Sequence, residues 1–315
     1  MRAITVEQLG GADRLRLVET EVPNPAPTEV LVRVHAAGVN PVDWKTREGR
    51  GVAGVLGAPP WTLGWDVSGV VETVGPGVTR FVAGDEVFGM PRFPHAASAY
   101  AEYVAAPSRH LARKPAALTH EEAAGLPLAG LTAWQALVET AAVSEGQRVL
   151  VHAAAGGVGH LAVQLAHWRG AHVLGTASTA KHGLLRALGA DELIDYRTHE
   201  FEEEIAPVDL VLDMGSIYGD RSLRVLRPGG VLITGPGDGA VATSGEHRVA
   251  AMLVEPDGHA LERLAELVEA GDLRVHVSAT ADLADAAKLH VEGQAGRLTG
   301  KTVLRCSRYA TWQLP

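Results

Sequence analysis

Two textures of apolar and polar positions divide the chain. Through residues 1–118 short runs alternate, as in Glu29-Val30-Leu31-Val32-Arg33-Val34 and Val67-Ser68-Gly69-Val70-Val71-Glu72-Thr73-Val74. A period of two turns one face of a strand to a core and the other to water. Gly75-Pro76-Gly77 and Ala83-Gly84-Asp85 separate such runs. This region is therefore predicted to be all-β, a small barrel of short strands. Met1–Val6 reads directly as a strand.

From residue 119 the pattern changes. Thr119 followed by Glu121-Glu122 is a helix start, with the acids favoured at the positive end of the helix dipole. Strands are predicted at 148–152, 171–175, 192–195, 208–212, 230–234 and 250–254, with helical patterns between most of them, clearest at 158–169 and 181–188. Several strands are apolar throughout, as buried parallel strands are. Six with crossovers make a doubly wound sheet, a Rossmann domain over 119–255. Ala260–Ala270 is amphipathic, with Leu261, Leu264, Leu267 and Val268 on one face. A strand at 273–277, a helix near 282–290 and a strand at 302–305 complete the tail. The first domain is thus 1–118 joined by 256–315, with the second inserted, and a cleft between two such domains is a favoured ligand position.

The candidate chemistry begins in Val149-Leu150-Val151-His152-Ala153-Ala154-Ala155-Gly156-Gly157-Val158-Gly159, which leads into Leu161-Ala162-Val163-Gln164-Leu165-Ala166. A buried strand, a glycine turn and an apolar helix form the frame that holds a pyrophosphate. Gly156 lets the backbone approach, Gly159 lets helix and strand pack closely, and the N–H groups of Gly157, Val158 and their neighbours point at the anion. Ala154 stands where the first glycine of the usual GxGxxG would be. A purely structural glycine turn fits the same residues.

The residue after the second strand distinguishes the two nicotinamide dinucleotides. Binders of the unphosphorylated form carry an acid there for the ribose 2′-hydroxyl. Thr176-Ala177-Ser178-Thr179-Ala180-Lys181 contains none. The Ser178 hydroxyl and Lys181 ammonium supply the donors and charge that a 2′-phosphate needs, so NADPH is the expected cofactor. Ser178 equally fits a helix N-cap, and Lys181 a solvated first-turn lysine.

Composition narrows the partners. Hydrophobic residues at 46% and charged ones at 21% fit a soluble globular protein. A net charge of −9 offers no basic field for nucleic acid or an anionic membrane. No apolar run is long enough for a membrane span, and no apolar leader precedes the first strand. Cys306 is the one cysteine, so no internal disulfide is possible. A reducing cytoplasm is the expected location.

These elements, with Ala37-Gly38-Val39-Asn40-Pro41-Val42-Asp43, Gly64-Trp65-Asp66-Val67-Ser68-Gly69, Val78–Val87, Ala99–Tyr103, Gly130-Leu131-Thr132-Ala133-Trp134 and Gly300-Lys301-Thr302-Val303-Leu304, resemble the medium-chain dehydrogenase/reductases, in the zinc-independent quinone oxidoreductase-like branch. The resemblance covers nearly the whole chain. It implies a GroES-like barrel plus a Rossmann domain, reduced nicotinamide and a homodimer. Zinc-dependent relatives carry Cys where this chain has Asn40, and Gly-His-Glu where it has Gly64-Trp65-Asp66. A metal-free site is therefore expected, without the Lewis acid that acidifies an alcohol. Tyr196 joins Ser178 and Lys181 at NADPH-contacting positions, and Asn40 and Thr132 fall near the nicotinamide and substrate.

The expected reaction is hydride transfer from NADPH to a quinone or to the β-carbon of an α,β-unsaturated carbonyl. Charge then builds on the carbonyl oxygen, and Asn40 and Lys45 are candidate donors to it. Asn40 also fits a turn before Pro41, and Thr132 helix packing. If its segment is extended, Lys45 shares a face with Asp43, and a pair between them fits a structural salt bridge equally. The loop Thr234-Gly235-Pro236-Gly237-Asp238 flanks the nicotinamide side. Tyr100, in what reads as a strand, is a weak candidate acid. Trp44, Trp61, Trp65 and Phe93 point to an apolar small-molecule substrate, with Trp65 better read as core. Two alternatives stand beside this: a freestanding enoyl reductase of polyketide-type biosynthesis, and an NADPH-binding regulatory protein with little turnover.

Overall fold

The computed structural model describes residues 1–236, 246–296 and 298–307. The chain divides into two compact units. The first comprises Met1–Leu128, Glu255–Gly271 and the described residues from Val275 on; the second comprises the described residues of Ala129–Val254 together with Asp272–Arg274.

The first unit is built around the eleven-residue strand Glu29–Val39. Its seven-stranded sheet runs in the order Val277–Asp282, Lys301–Arg305, Glu29–Val39, Asp66–Val74, Glu86–Gly89, Leu111–Arg113, with Tyr103–Pro107 also paired to Glu29–Val39. Register shifts at Leu31/Val32 and Val34/Ala36 mark irregularities in the pairing with Asp66–Val74. Such bulges bend a strand. Glu29–Arg33 pairs with Tyr103–Pro107, while Ala36–Val39 pairs with Thr302–Arg305. One side of this strand is thus shared between two partners, while Asp66–Val74 runs along the other in a curled GroES-like sheet. A smaller sheet joins Leu15–Glu19, Arg2–Val6 and Trp61–Thr62.

Helix starts follow the capping signals. Thr119 accepts from Glu122 N at 3.2 Å, and Glu122 accepts from Thr119 N at 2.9 Å, a reciprocal capping box. The resulting helix, His120–Gly125, belongs to the first unit, where Ala124 packs with Ala36 and Val303. Gly258–Ala270 begins on Asp257, which accepts from His259 N and Ala260 N, and ends on Gly271 at a left-handed φ of 83°.

The tail differs from its sequence pattern. The strand expected at 273–277 is Val277–Asp282, and the helix expected near 282–290 is Ala286–Gln294. Leu273 and Val275 are buried outside any strand, whereas Val-Ser-Ala-Thr-Ala-Asp alternates only weakly in hydropathy. Large apolar side chains therefore drew the pattern toward the wrong segment.

The second unit is the six-stranded parallel sheet, ordered Glu192–Ile194, His172–Thr176, Arg148–Val151, Val208–Asp213, Leu226–Thr234, Arg248–Ala251. This 3-2-1-4-5-6 order is the Rossmann topology, reversing beside the first strand, where ligands bind at the C-terminal strand ends. Leu150, Leu174, Val211 and Leu232 form its core with Phe201 and Val225. Every residue from Gly159 to Ala166 of the following helix is buried. Among the described residues no helix is long and apolar enough to cross a membrane.

Candidate active site

The glycine turn is held by main-chain contacts. Ala153 takes a left-handed φ of 47°, a conformation disfavoured for a residue with a Cβ. Its N–H donates to Thr176 Oγ1 at 3.2 Å, and Ala154 N to Thr176 O at 3.1 Å. A Cβ at Gly159 would stand 2.3 Å from Ala153 O and 2.7 Å from Ala154 O, so only glycine lets the helix start there. Gly156 donates to Ala153 O, and its own carbonyl accepts from His160 N. The N–H groups of Gly157 and Val158 donate to no protein group among the described residues. Donors at the start of a ten-residue helix fit a pyrophosphate.

Ala154, in the place of the first glycine, is fully buried. Its methyl lies 2.9 Å from where a Cβ at Gly175 would be. The space that a glycine would leave at 154 has been yielded by the neighbouring strand instead.

Ser178 is buried at the N-cap position of the turn Thr179–Lys181, and its hydroxyl makes no capping bond. Lys181 is half-buried. Tyr196 is 48% exposed, and the Arg197 guanidinium stacks 5.7 Å from its ring centre. Asp195 was not foreseen here. Its carboxylate accepts from Thr179 N at 2.8 Å, from Thr179 Oγ1 at 2.5 Å and from Arg197 N at 3.0 Å. The Thr179 side-chain and main-chain bonds, with Arg197 N, hold its pKa down to about 2. The turn after the second strand thus contains no acid in sequence but borrows one from the end of the third. Gly235 needs to be glycine: a Cβ there would lie 2.6 Å from Met214 O. Gly237 and Asp238, named with it, lie outside the described residues.

In the first unit Asn40 sits 1% exposed inside a polar knot. Its Nδ2 donates to Asp66 Oδ2 at 2.8 Å, and its Oδ1 accepts from Lys301 Nζ. Lys301 Nζ also lies 3.5 Å from Asp66 Oδ2, and Leu128 N donates to Asp66 Oδ1 at 2.8 Å. Burial raises the Asp66 pKa, while Lys301 and the N–H donors oppose it. Three donors converging on two oxygens favour the carboxylate. Asn40 N donates to Asp43 Oδ2 at 2.6 Å, and Tyr100 OH donates to the same oxygen at 2.8 Å. Asp43 Oδ1 has no partner. Burial pushes Asp43 up to about 7.

Behind Tyr100 stands His290, whose Nε2 is 3.3 Å from the phenol oxygen; Arg47 Nη1 lies 3.0 Å from His290 Nδ1. Arginine only donates, so Nδ1 accepts and Nε2 carries the hydrogen. Burial lowers His290 to about 3, which keeps it neutral.

Two expectations are corrected here. The segment after Asn40 is not extended but a helix, Pro41–Arg47, favoured by proline at its first position and by Asp43 capping Asn40 N. Two residues along a helix turn about 200°, so Lys45 points away from Asp43 and makes no pair with it. Tyr100 lies outside any regular strand, fully buried, with its hydroxyl bonded to Asp43 and near His290. Thr132 is buried on the helix Pro127–Trp134. Trp65 is core: its Nε1 donates to His95 O at 2.8 Å and its ring meets Phe93 edge-on. Among the described residues no group of three or more His, Cys, Asp or Glu side chains could hold a metal ion.

Residues 26–116 match the family model for the alcohol dehydrogenase GroES-like domain, and 188–304 that for zinc-binding dehydrogenases. A 2-methylene-furan-3-one reductase of Solanum lycopersicum is 37% identical, across 96% of this chain and 79% of its own. The chain belongs to the medium-chain dehydrogenase/reductase superfamily. Within it this oxidoreductase falls in the zinc-independent quinone oxidoreductase-like branch. The solved quinone oxidoreductase from Coxiella burnetii is similar to it at a TM-score of 0.92 and 38% identity, covering 98% of this chain and 99% of that one. The Escherichia coli quinone oxidoreductase solved with NADPH gives a TM-score of 0.87 at 28% identity, over 97% of this chain and all of that one.

Sequence reasoning missed Asp66, Lys301 and His290 as partners in the oxidoreductase's polar knot. Asp66 and Lys301 both lie in stretches that carry the family resemblance, but they read there as fold markers. Nothing in sequence brings position 40 to position 301.

Proposed function

We propose that the protein is an NADPH-dependent reductase that delivers hydride to a quinone, or to the β-carbon of an α,β-unsaturated carbonyl. The observation that carries this reading is the pair of unpartnered N–H groups at Gly157 and Val158, beside a turn where Ser178 and Lys181 stand in place of an acid. Likeness to a quinone oxidoreductase solved with NADPH and to a furanone reductase supports it. When bound, the reduced nicotinamide supplies the hydride.

Gly156, Gly157, Val158 and Gly159 would hold the pyrophosphate, with Ala154 behind them. Ser178, Lys181 and Tyr196 would take the phosphorylated adenosine end, and Thr132 and Gly235 the nicotinamide side. Asn40 would donate to the carbonyl oxygen as charge builds there, a contribution of about 3 kcal/mol for one well-aimed donor. Lys45 is the weaker candidate for that task, being a half-buried helix residue with no observed link to Asn40. The enolate would then take its proton from water. A homodimer in the cytoplasm belongs to the same reading.

The test is oxidation of NADPH, followed by nicotinamide absorbance, against a panel of quinones and enones. Turnover is expected with NADPH, and Lys181→Ala should weaken NADPH about tenfold more than NADH. Tight NADPH binding without turnover on any acceptor would overturn the reductase reading in favour of a regulatory role.

A further inference from the structure

The Asn40 carboxamide has a charge at each end. The Lys301 ammonium bonds its oxygen, and the Asp66 carboxylate accepts from its nitrogen at 2.8 Å. Both ions are buried, with side chains 2% and 0% exposed, so water screens neither. A cation at the amide oxygen favours negative charge there. An anion at an amide hydrogen favours positive charge on nitrogen. The two act in the same sense, toward the charge-separated resonance form, and hydrogen bonds in such a chain strengthen one another.

The arrangement also fixes which way the amide faces. Lysine only donates and a carboxylate only accepts, so a flipped Asn40 would set N–H against N–H and oxygen against oxygen. One Nδ2 hydrogen goes to Asp66, and the other is committed to no protein group among the described residues. A buried ion pair is costly to keep, and an apolar pair of similar volume is often as stable. A role beyond stability would account for its presence here.

We propose that Lys301 and Asp66 are positioning residues that orient and polarise Asn40, making its remaining N–H a strengthened donor for the oxygen that becomes negative during hydride transfer. This rests on the reductase reading for the identity of that oxygen. The polarisation itself does not.

The chain offers a direct probe, because Asn24 and Asn40 are its only asparagines. Asn24 is exposed and serves as an internal reference. In protein labelled with side-chain ¹⁵N-asparagine and free of cofactor, the Asn40 Nδ2 signal is expected downfield of Asn24. Lys301→Met should move it toward Asn24, and Lys301→Arg should largely restore it. An Asn40 signal unmoved by Lys301→Met overturns the polarisation, whatever the enzyme does.

Kinetics separate positioning from mere support. Lys301→Met should lower kcat about tenfold while the Kd for NADPH stays within about twofold, and Lys301→Arg should recover much of the loss. Lys301→Met also strands the Asp66 charge, so the double variant Lys301→Met with Asp66→Ser removes both ions. It should regain Tm and keep both the low kcat and the unpolarised Asn40 signal. If kcat returns with Tm, the pair is only structural and the proposal fails. If wild-type protein turns over no acceptor, the reductase reading fails while the labelled signals still judge the polarisation.

Discussion

The glycine turn of the second unit and the polar knot of the first solve the same problem by different means. In the proposed reductase, each presents hydrogen-bond donors at a fixed place. The turn does it with main chain: Gly159 lets the helix start against Ala153 O and Ala154 O, and Gly157 and Val158 offer their N–H groups. The knot does it with five side chains from four distant segments, joining Asn40 and Asp43 to Asp66, Tyr100 and Lys301. A main-chain site depends on shape, so it is damaged by added volume. A side-chain site depends on charge and proton count, so it responds to pH and to isosteric change.

The contrast is tested most severely at Gly159. Gly159→Ala should cost about 3 kcal/mol, since two carbonyls must move to admit one methyl, and NADPH affinity should fall with it. Thermal unfolding and a fluorescence titration measure both. Retention of full affinity would show that the turn tolerates volume after all.

Asp43 gives the next largest effect. Its ordinary pKa of 3.8 is raised to about 7. The folded protein therefore keeps a proton that the unfolded chain releases above about pH 4. Its stabilising contribution is full below that pH and lost as pH rises through 7. His120 and His152, lowered by burial to about 4, act with the opposite sign below pH 6.5. Stability of wild type minus that of Asp43→Asn should cancel the histidines and fall by roughly 3 kcal/mol between pH 4 and 7. A flat difference curve in urea unfolding would count against the buried acid.

Volume-sharing between Ala154 and Gly175 predicts a smaller, coupled effect. Gly175→Ala should destabilise by about 1.5 kcal/mol. Adding Ala154→Gly should return about 1 kcal/mol of that, a coupling that a double-mutant cycle resolves. Additive losses would mean that Leu193, 3.1 Å from the same Cβ position, is the true obstacle.

Least affected should be the proposed adenosine end. Asp195→Asn keeps an acceptor for Thr179 but removes a charge from the turn that follows Ser178. NADPH should bind about twofold more tightly, with NADH unchanged, at an exposed site where water screens most of the field.

These differences explain what could be read from the chain. The parallel strands, the glycine turn and the helix after it have local causes: apolar runs, absent Cβ atoms and caps. Thr119 with Glu122 shows this within four residues. The compensation at Ala154 was invisible because its partner, Gly175, lies on another strand. Asp195 escaped notice for the same reason, reaching Thr179 across 16 positions. Asn40 could be singled out from its motif, but not the ions at its two ends. The helix after it was hidden because Pro41 fits both a turn and a helix start.

Lys301 reaches Asn40 across 261 positions of sequence. During synthesis, residues 129–254 emerge while the strand Lys301–Arg305 does not yet exist, and Ala36–Val39 has no partner along that edge. The second unit is nearly continuous in the chain and can fold as it leaves the ribosome. The first unit must wait, its earliest residues held open until the last strand arrives. Its ordering carries the entropic cost of closing a very long loop. The order of assembly is thus written into the connectivity: the dinucleotide fold can form early, whereas the knot around Asn40 closes only after Lys301 has been made.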